Sequence, residues 1–331
     1  MMKVRSIYPL IILISGLFII TSCNESTVVE DDQDQEERYF NIYVAANYPG
    51  AVPEASGLYY IENKAGTGAM TTDSSWVLVN HVSYMIPSNQ VYETYIESVA
   101  LDNRIGDADA LYGPFKMQNG TMNEGFTEGL NKMKEGGEAT FMFTSELGYG
   151  SKSRGAVPAY SSLKYEVVLL EVLGDDIDAY EAAKILAYVD TIAGADTVYD
   201  AIDDLSLYYV IDEPTDGAPV AIDSTIQVAY KGYLTDGRVF DESADSAYFE
   251  FKVGDYDVES TAIVGWHLGL AKFREGEKGR LIIPYQLGYG ASGKFTSKNN
   301  VSIPPYETLV FDVEIISVYQ DDNDEKPDPE E

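Results

Sequence analysis

The chain has 331 residues, 12% of them aromatic with 26 tyrosines, and sets 22 Lys plus Arg against 55 Asp plus Glu for a net charge of −33. That balance excludes nucleic acid as a partner, since such affinity comes from basic side chains neutralising phosphates, and it also disfavours anionic headgroups. One cysteine and two histidines, His81 and His267, leave no internal disulfide, zinc set or Cys–His nucleophile, so neither a metal nor another cofactor is expected.

In chain order, Lys3 and Arg5, an apolar run from Leu10 to Ile20 and small polar residues predict a cleaved export signal over residues 1–22. The run is about half of the ~20 residues that a spanning helix needs. Ile20-Thr21-Ser22-Cys23 resembles a bacterial lipobox, which makes Cys23 the lipidated first residue of a mature protein in the bacterial cell envelope, facing the periplasm or at the surface. The other reading is an ordinary signal followed by a leftover thiol. Membrane contact is then expected through the lipid anchor only. Residues 23–37 carry a run of acids without a base and are expected to be a disordered tether, as is the acidic tail 320–331. An acidic run after such a cysteine resembles a surface-transfer signal; a solvated spacer looks the same.

Between these ends the chain repeats itself. Leu58-Tyr59-Tyr60-Ile61 returns as Leu207-Tyr208-Tyr209-Val210, and Glu146-Leu147-Gly148-Tyr149-Gly150 as Gln286-Leu287-Gly288-Tyr289-Gly290. Each copy reads as a β-rich run, a loop, a Gly-aromatic pair opening a helix, a strand, the Leu-Gly-Tyr-Gly turn and a last strand. Leu163, Tyr165, Val167 and Leu169 alternate in one last strand, and Leu309, Phe311, Val313 and Ile315 in the other. Phe126, Leu130 and Met133, like Trp266, Leu270 and Phe273, follow helical spacing. The expected class is α+β, an antiparallel sheet with one helix against it in each of two domains, 38–174 and 206–319. Helices are expected before each copy, at Glu37–Asn47 and Tyr180–Thr191, the second within a helical connector over 175–205.

The second copy carries Tyr230-Lys231-Gly232-Tyr233-Leu234, Asp236-Gly237-Arg238-Val239-Phe240-Asp241, Gly265-Trp266, Leu287-Gly288-Tyr289-Gly290 and Ile303-Pro304-Pro305 before Leu309-Val310-Phe311-Asp312-Val313. In that order and spacing they resemble an FKBP-type peptidyl-prolyl cis-trans isomerase over about residues 206–319. The resemblance implies two FKBP-like domains, each an antiparallel twisted sheet wrapped on one short helix. It implies a proline pocket lined by Tyr230, Phe240, Asp241, Phe249, Ile263, Trp266, Tyr289, Ile303 and Phe311. Trp266 would be its floor, the Ile263 N–H and Tyr289 hydroxyl would hold substrate carbonyls, and Asp241 would sit near the twisting bond. Phe251 and Phe273 are expected to be core.

The first copy departs from the pattern: Val82 is expected at the place of the tyrosine, Tyr92-Glu93 replaces Phe-Asp, Asn123 the apolar N–H donor and Phe126 the tryptophan. It is expected to be a spacer or client-binding module with little activity. The loop Gly290–Ile303 is longer than is usual for the family and carries Lys294 and Lys298, which means either a changed client preference or a longer solvent loop. The resemblance thus implies an isomerase acting on proline-containing polypeptide clients of the export pathway. A non-catalytic binding or assembly module is the alternative, and oligomeric state is not legible.

Overall fold

The structure, a computed structural model, describes residues 32–200, 205–244, 247–254, 262–298 and 300–320. The export signal, Cys23 and the tail from residue 321 lie outside them. The first half contains α1 (Asp32–Asn47), β1 (Tyr59–Lys64), β2 (Trp76–Ile86), β3 (Gln90–Thr94), α2 (Glu97–Asp102), β4 (Phe115–Gln118), α3 (Glu124–Leu130), β5 (Glu138–Phe143) and β6 (Ser162–Gly174). After α4 (Ile177–Val189) come β7 (Asp196–Asp200), β8 (Leu205–Glu213), β9 (Ser224–Leu234), β10 (Val239–Glu242), β11 (Phe249–Lys252), α5 (Val264–Leu270), β12 (Lys278–Ile283), β13 (Lys294–Phe295), β14 (Val301–Ile303) and β15 (Leu309–Gln320).

Beside a separate ribbon in which β13 pairs with β14, two large antiparallel sheets result, ordered β1-β5-β6-β2-β3 with β4 also on β2, and β10-β9-β15-β12-β8-β7 with β11 also on β9. Their registers match residue for residue. Tyr60 faces Phe141 as Tyr209 faces Leu281, and Val79 faces Phe115 as Val228 faces Phe249.

Each sheet buries one face against a short helix, and the glycines explain how closely it packs. A Cβ at Gly125 or Gly129 would come within 2.6 Å of the rings of Phe143 and Phe141, and one at Gly265 or Gly269 within 2.8 Å of Ile283 and Leu281. Only glycine lets α3 and α5 lie this near the sheet, which sends Phe126 and Trp266 into the two cores. Phe251 and Phe273 are buried there too.

The other face is covered by the helix that precedes each copy. Phe40, Tyr43 and Val44 of α1 pack on Ile86 and Met142, and Ile185 of α4 on Ile282 and Val310. Each helix is also anchored by a buried glutamate. Glu36 accepts from Ser145 N (2.6 Å), Ser145 Oγ (2.5 Å) and Ser162 Oγ (2.7 Å), and Glu181 accepts from Thr308 Oγ1 at 2.8 Å. Ser162 and Thr308 hold the same place at the start of the last strand, one residue ahead of Leu163 and Leu309, so the repeated unit is a helix plus a sheet domain.

Two expectations change here. The helix begins at Asp32, so residues 32–37 are not disordered tether; the buried hydrogen bonds of Glu36 give this acidic turn a reason to be helical. The expected connector is helical only in its first half, because Asp196–Asp200 pairs with β8 as the edge strand of the second sheet.

A buried charge cluster locks the halves together. Lys116 of β4, its side chain 2% exposed, lies 2.7 Å from Glu181 and 2.9 Å from Glu307, and donates to the Tyr306 carbonyl at 2.7 Å. Lys184 reaches both glutamates at the rim. Burial works against ionisation of Glu181, but Lys116 and Lys184 outweigh it and hold its carboxyl below the ordinary value. Trp76 packs edge-on against Tyr306 at 4.6 Å.

Candidate functional site

The pocket in the second copy is made by strands that cross on one side of the sheet. Tyr230 lies on β9, Phe240 and Asp241 on β10, Phe249 on β11, Trp266 on α5, Ile303 at the end of β14 and Phe311 on β15. Ile263 is the N-cap of α5 and Tyr289 follows the turn after β12. Eight of these nine belong to a single hydrophobic cluster, and Asp241 joins it through a 2.9 Å hydrogen bond from the Tyr230 hydroxyl. All nine residues expected from the sequence are therefore brought together.

The rings meet edge to face, the favoured geometry for aromatic quadrupoles. Trp266 lies 5.1 Å from Tyr230, 5.4 Å from Phe249 and 5.2 Å from Phe311, each at close to a right angle. Phe240 stands 5.5 Å from Phe311. It can do so because residue 232 is glycine: a Cβ there would meet the Phe240 ring at 2.6 Å and the Phe311 ring at 2.8 Å. Among the described residues, the buried Trp266 Nε1 has no hydrogen-bond partner. Burial, then the hydrogen bond to Asp241, raises the Tyr230 hydroxyl pKa, and burial with the charge of Asp241 raises that of Tyr289. Both stay protonated donors at neutral pH. Phe240, Asp241 and Ile303 also line a cleft of about 400 Å³ at the edge of this cluster.

The first copy keeps the frame and loses this interior. The β2 register sets His81 opposite Val167 just as β9 sets Tyr230 opposite Val313. His81, not Val82, therefore stands where the tyrosine stands; Val82 is one residue along and points to the other face. Ser83 takes the place of Gly232 and bonds His81 Nδ1 at 2.9 Å. Tyr165, at the place of Phe311, accepts at its hydroxyl from Tyr92 (2.7 Å) and from Asn123 Nδ2 (2.9 Å). The Asn123 carbonyl caps α3 by accepting from Phe126 N. Tyr95 replaces Ser243, and its ring lies 4.3 Å from His81 and 4.6 Å from Phe115, the two positions that match Tyr230 and Phe249. Hydrogen-bonded polar groups here replace the ring-to-ring contacts of the second copy. Burial pushes the His81 imidazole from 6.5 down to about 4, so it is neutral at pH 7.

The long loop of the second copy has a partner the sequence did not disclose. The buried Asp107 of the first copy accepts from Thr296 Oγ1 at 2.6 Å and Asn300 Nδ2 at 3.4 Å, with Lys298 Nζ at 3.5 Å. Leu111 N donates to Val301 O at 2.8 Å, and the Leu111 side chain packs against the second domain's core. Arg238, read from the sequence only as a motif residue, donates to the carbonyls of Tyr112 and Pro114 at 3.0 and 3.2 Å. The loop is a clasp between domains rather than a free solvent loop. Its partners lie more than 100 residues away, and no local pattern could have shown them.

The family model for FKBP-type peptidyl-prolyl cis-trans isomerases matches residues 91–170 and 217–316. The chain is 46% identical over 95 residues to peptidyl-prolyl cis-trans isomerase FKBP15-2 of Arabidopsis thaliana, covering 28% of this chain and 53% of that one. It is 40% identical over 96 residues to an FK506-binding protein of Neisseria meningitidis serogroup C, covering 29% of this chain and 80% of that one. Among solved structures it is similar to FkpA from Escherichia coli, at 31% identity and a TM-score of 0.34, over 43% of this chain and 61% of that one. The chain spans about half or less of the length of the first curated relatives it matches.

Proposed function

The chain belongs to the FKBP-type peptidyl-prolyl cis-trans isomerase family, and on that premise we propose that it rotates X–Pro bonds in exported polypeptides, with turnover mainly in the second domain. The observation that carries this reading is the convergence of Tyr230, Phe249, Trp266 and Phe311 around one interior, with Asp241 held at its edge by Tyr230.

Such a site needs neither nucleophile nor base. Rotation about a peptide bond faces ~18–20 kcal/mol because the planar form is stabilised by charge-separated resonance. The twisted imide has lost that resonance and is less polar, so water favours the ground state over it. A dry aromatic pocket removes this preference and binds the twisted form better than the planar one. The Ile263 N–H and Tyr289 hydroxyl would hold the flanking carbonyls, and the Asp241 carboxylate, fixed by the Tyr230 hydroxyl, would face the bond as its charge redistributes. Lowering the barrier by ~8 kcal/mol corresponds to roughly a millionfold acceleration. Unaided exchange takes tens of seconds or longer, slow enough to limit the folding of an exported chain.

The cellular setting rests on residues outside the described structure: Lys3, Arg5, the run Leu10–Ile20 and Cys23 support export and lipidation at Cys23. No described helix is long and apolar enough to cross a membrane. Mass spectrometry of the membrane fraction should find a lipidated Cys23; an unmodified soluble chain from the wild type would remove the anchor. For the enzyme, magnetisation-exchange NMR on a Leu-Pro peptide should show catalysis by the wild type and a marked loss in well-folded Asp241→Ala and Trp266→Ala. Unchanged turnover in both variants would remove the assigned pocket.

A further inference from the structure

The first copy's altered interior does not leave that domain without a binding surface. Above the Tyr92–Tyr165–Asn123 network lies a second cavity of about 630 Å³, walled by Tyr92, Tyr95, Met122, Tyr149 and Val157 and closed on its far side by Phe295, Lys298 and Val301 of the second copy's clasp. Ala110, Leu111 and Phe295 line both this cavity and the cleft that leaves the proline pocket at Phe240 and Asp241. The two spaces share a wall, and that wall is held in place by the Leu111–Val301 hydrogen bond and the Asp107 cluster. Phe295 is 48% exposed on this ridge, an uncovered aromatic between two hollows.

Inside the cavity the chemistry is mixed. Tyr95, Met122 and Val157 are apolar wall. Glu93, at the place of Asp241, is half-buried and receives no hydrogen bond from any described residue, whereas Asp241 is held by Tyr230. Burial raises the pKa of its carboxyl, against the opposing charge of Arg154. Arg154 lies over the Tyr149 ring at 5.0 Å. A half-buried acceptor lacking a donor, beside apolar walls, fits an extended polypeptide, whose backbone N–H groups supply donors and whose side chains fill the hollow.

We propose that the two domains form one client groove: a polypeptide seated by its proline in the second domain lays its neighbouring residues across Leu111 and Phe295 into the first domain's cavity. This rests on the isomerase reading for the position of the proline, but the cavity and the wall it shares with the cleft do not depend on turnover. The first copy then acts as a specificity element, making the enzyme favour long unfolded clients over short peptides. A folded protein with a single exposed proline gains nothing from it.

The test uses the full chain and three peptides sharing one Leu-Pro core: a four-residue form and two forms of about twelve residues, about 40 Å when extended, carrying apolar residues on the N-terminal or C-terminal side. One long peptide should bind about tenfold more tightly than the short one, with KM lowered to match and kcat unchanged. Ala156 lies on an exposed loop at the cavity wall, so Ala156→Trp fills the space from outside the core. It should abolish the tenfold gain and leave the short peptide unaffected, while Ala156→Ser keeps the gain. A photoreactive residue at the far end of the long peptide should label residues 92–157. Equal affinity for all three peptides, a gain that survives Ala156→Trp, or labelling confined to the second domain would overturn the groove. Tight binding of the long peptide without turnover of any peptide would sink the isomerase reading and leave the groove standing.

Discussion

The two domains share their strand registers yet differ where chemistry is expected. In the second, Tyr230, Gly232, Ser243 and Phe311 leave an interior lined by ring edges with one carboxylate at its rim. In the first, His81, Ser83, Tyr95 and Tyr165 stand at those four positions, and side chains hydrogen-bond where a substrate ring would enter. Frame and site are thus separable: the glycines of α3 and α5, the buried last strands and the glutamate-anchored helices are kept in both, while the pocket residues are free to change. A fold that hosts a site does not by itself supply it.

The largest effect that should break the comparison comes from the joint between the domains. Lys116→Met leaves Glu181 and Glu307 buried with the rim Lys184 in place of the buried cation, and should cost about 4 kcal/mol of stability. Urea titration checks this, and a loss within experimental error would mean that the cluster does not hold the halves together. Acid acts on the same joint. The carboxyl pKa of Glu181 is depressed when folded, so its contribution is present above the ordinary value of 4.5 and fades as pH falls below it.

Next in size is the titration of His81 in the first domain. His81 is neutral when folded and has its ordinary value of 6.5 when unfolded, so protons favour the unfolded chain as pH falls from 6.5 towards 4. About 3 kcal/mol should be lost over that window, and His81→Phe should flatten the slope. Stability profiles of wild type and variant that run parallel from pH 6.5 to 4 would contradict the buried neutral imidazole. In the second domain Tyr230 stands at that position.

The smallest effect sharpens the comparison most. Gly232→Ser installs in the second copy what Ser83 is in the first, and its Cβ cannot coexist with the present Phe240 and Phe311 rings. Phe240 should move and kcat/KM fall about tenfold, about 1.4 kcal/mol in the barrier, with thermal stability little changed. Full activity in that variant would mean that the Phe240 ring does not define the pocket.

Much of this was legible in the sequence because the informative residues are local. Gly265-Trp266 and Leu287-Gly288-Tyr289-Gly290 each encode a close approach or a turn within a few positions, and the alternation of the last strands fixes their faces. What was not legible depends on distance. Glu36 looked like one more acid in a solvated run, because Ser145 and Ser162 lie more than 100 residues further on. The tyrosine's counterpart was misplaced by one residue, from His81 to Val82, because a strand reverses faces at every step and only the register with β6 decides which face is inward. The long loop read either as a change in client preference or as a solvent excursion, and neither reading disclosed its partners Asp107 and Leu111 in the other domain.

The division of labour between the copies is the central claim, and one paired measurement tests it most directly: NMR exchange on a short Leu-Pro peptide with the full chain carrying either Asp241→Ala or Glu93→Ala, its counterpart in the first copy. Asp241→Ala should lose turnover by about thirtyfold, about 2 kcal/mol in the barrier, while Glu93→Ala should match the wild type. Equal losses in the two variants, or a loss only with Glu93→Ala, would contradict it.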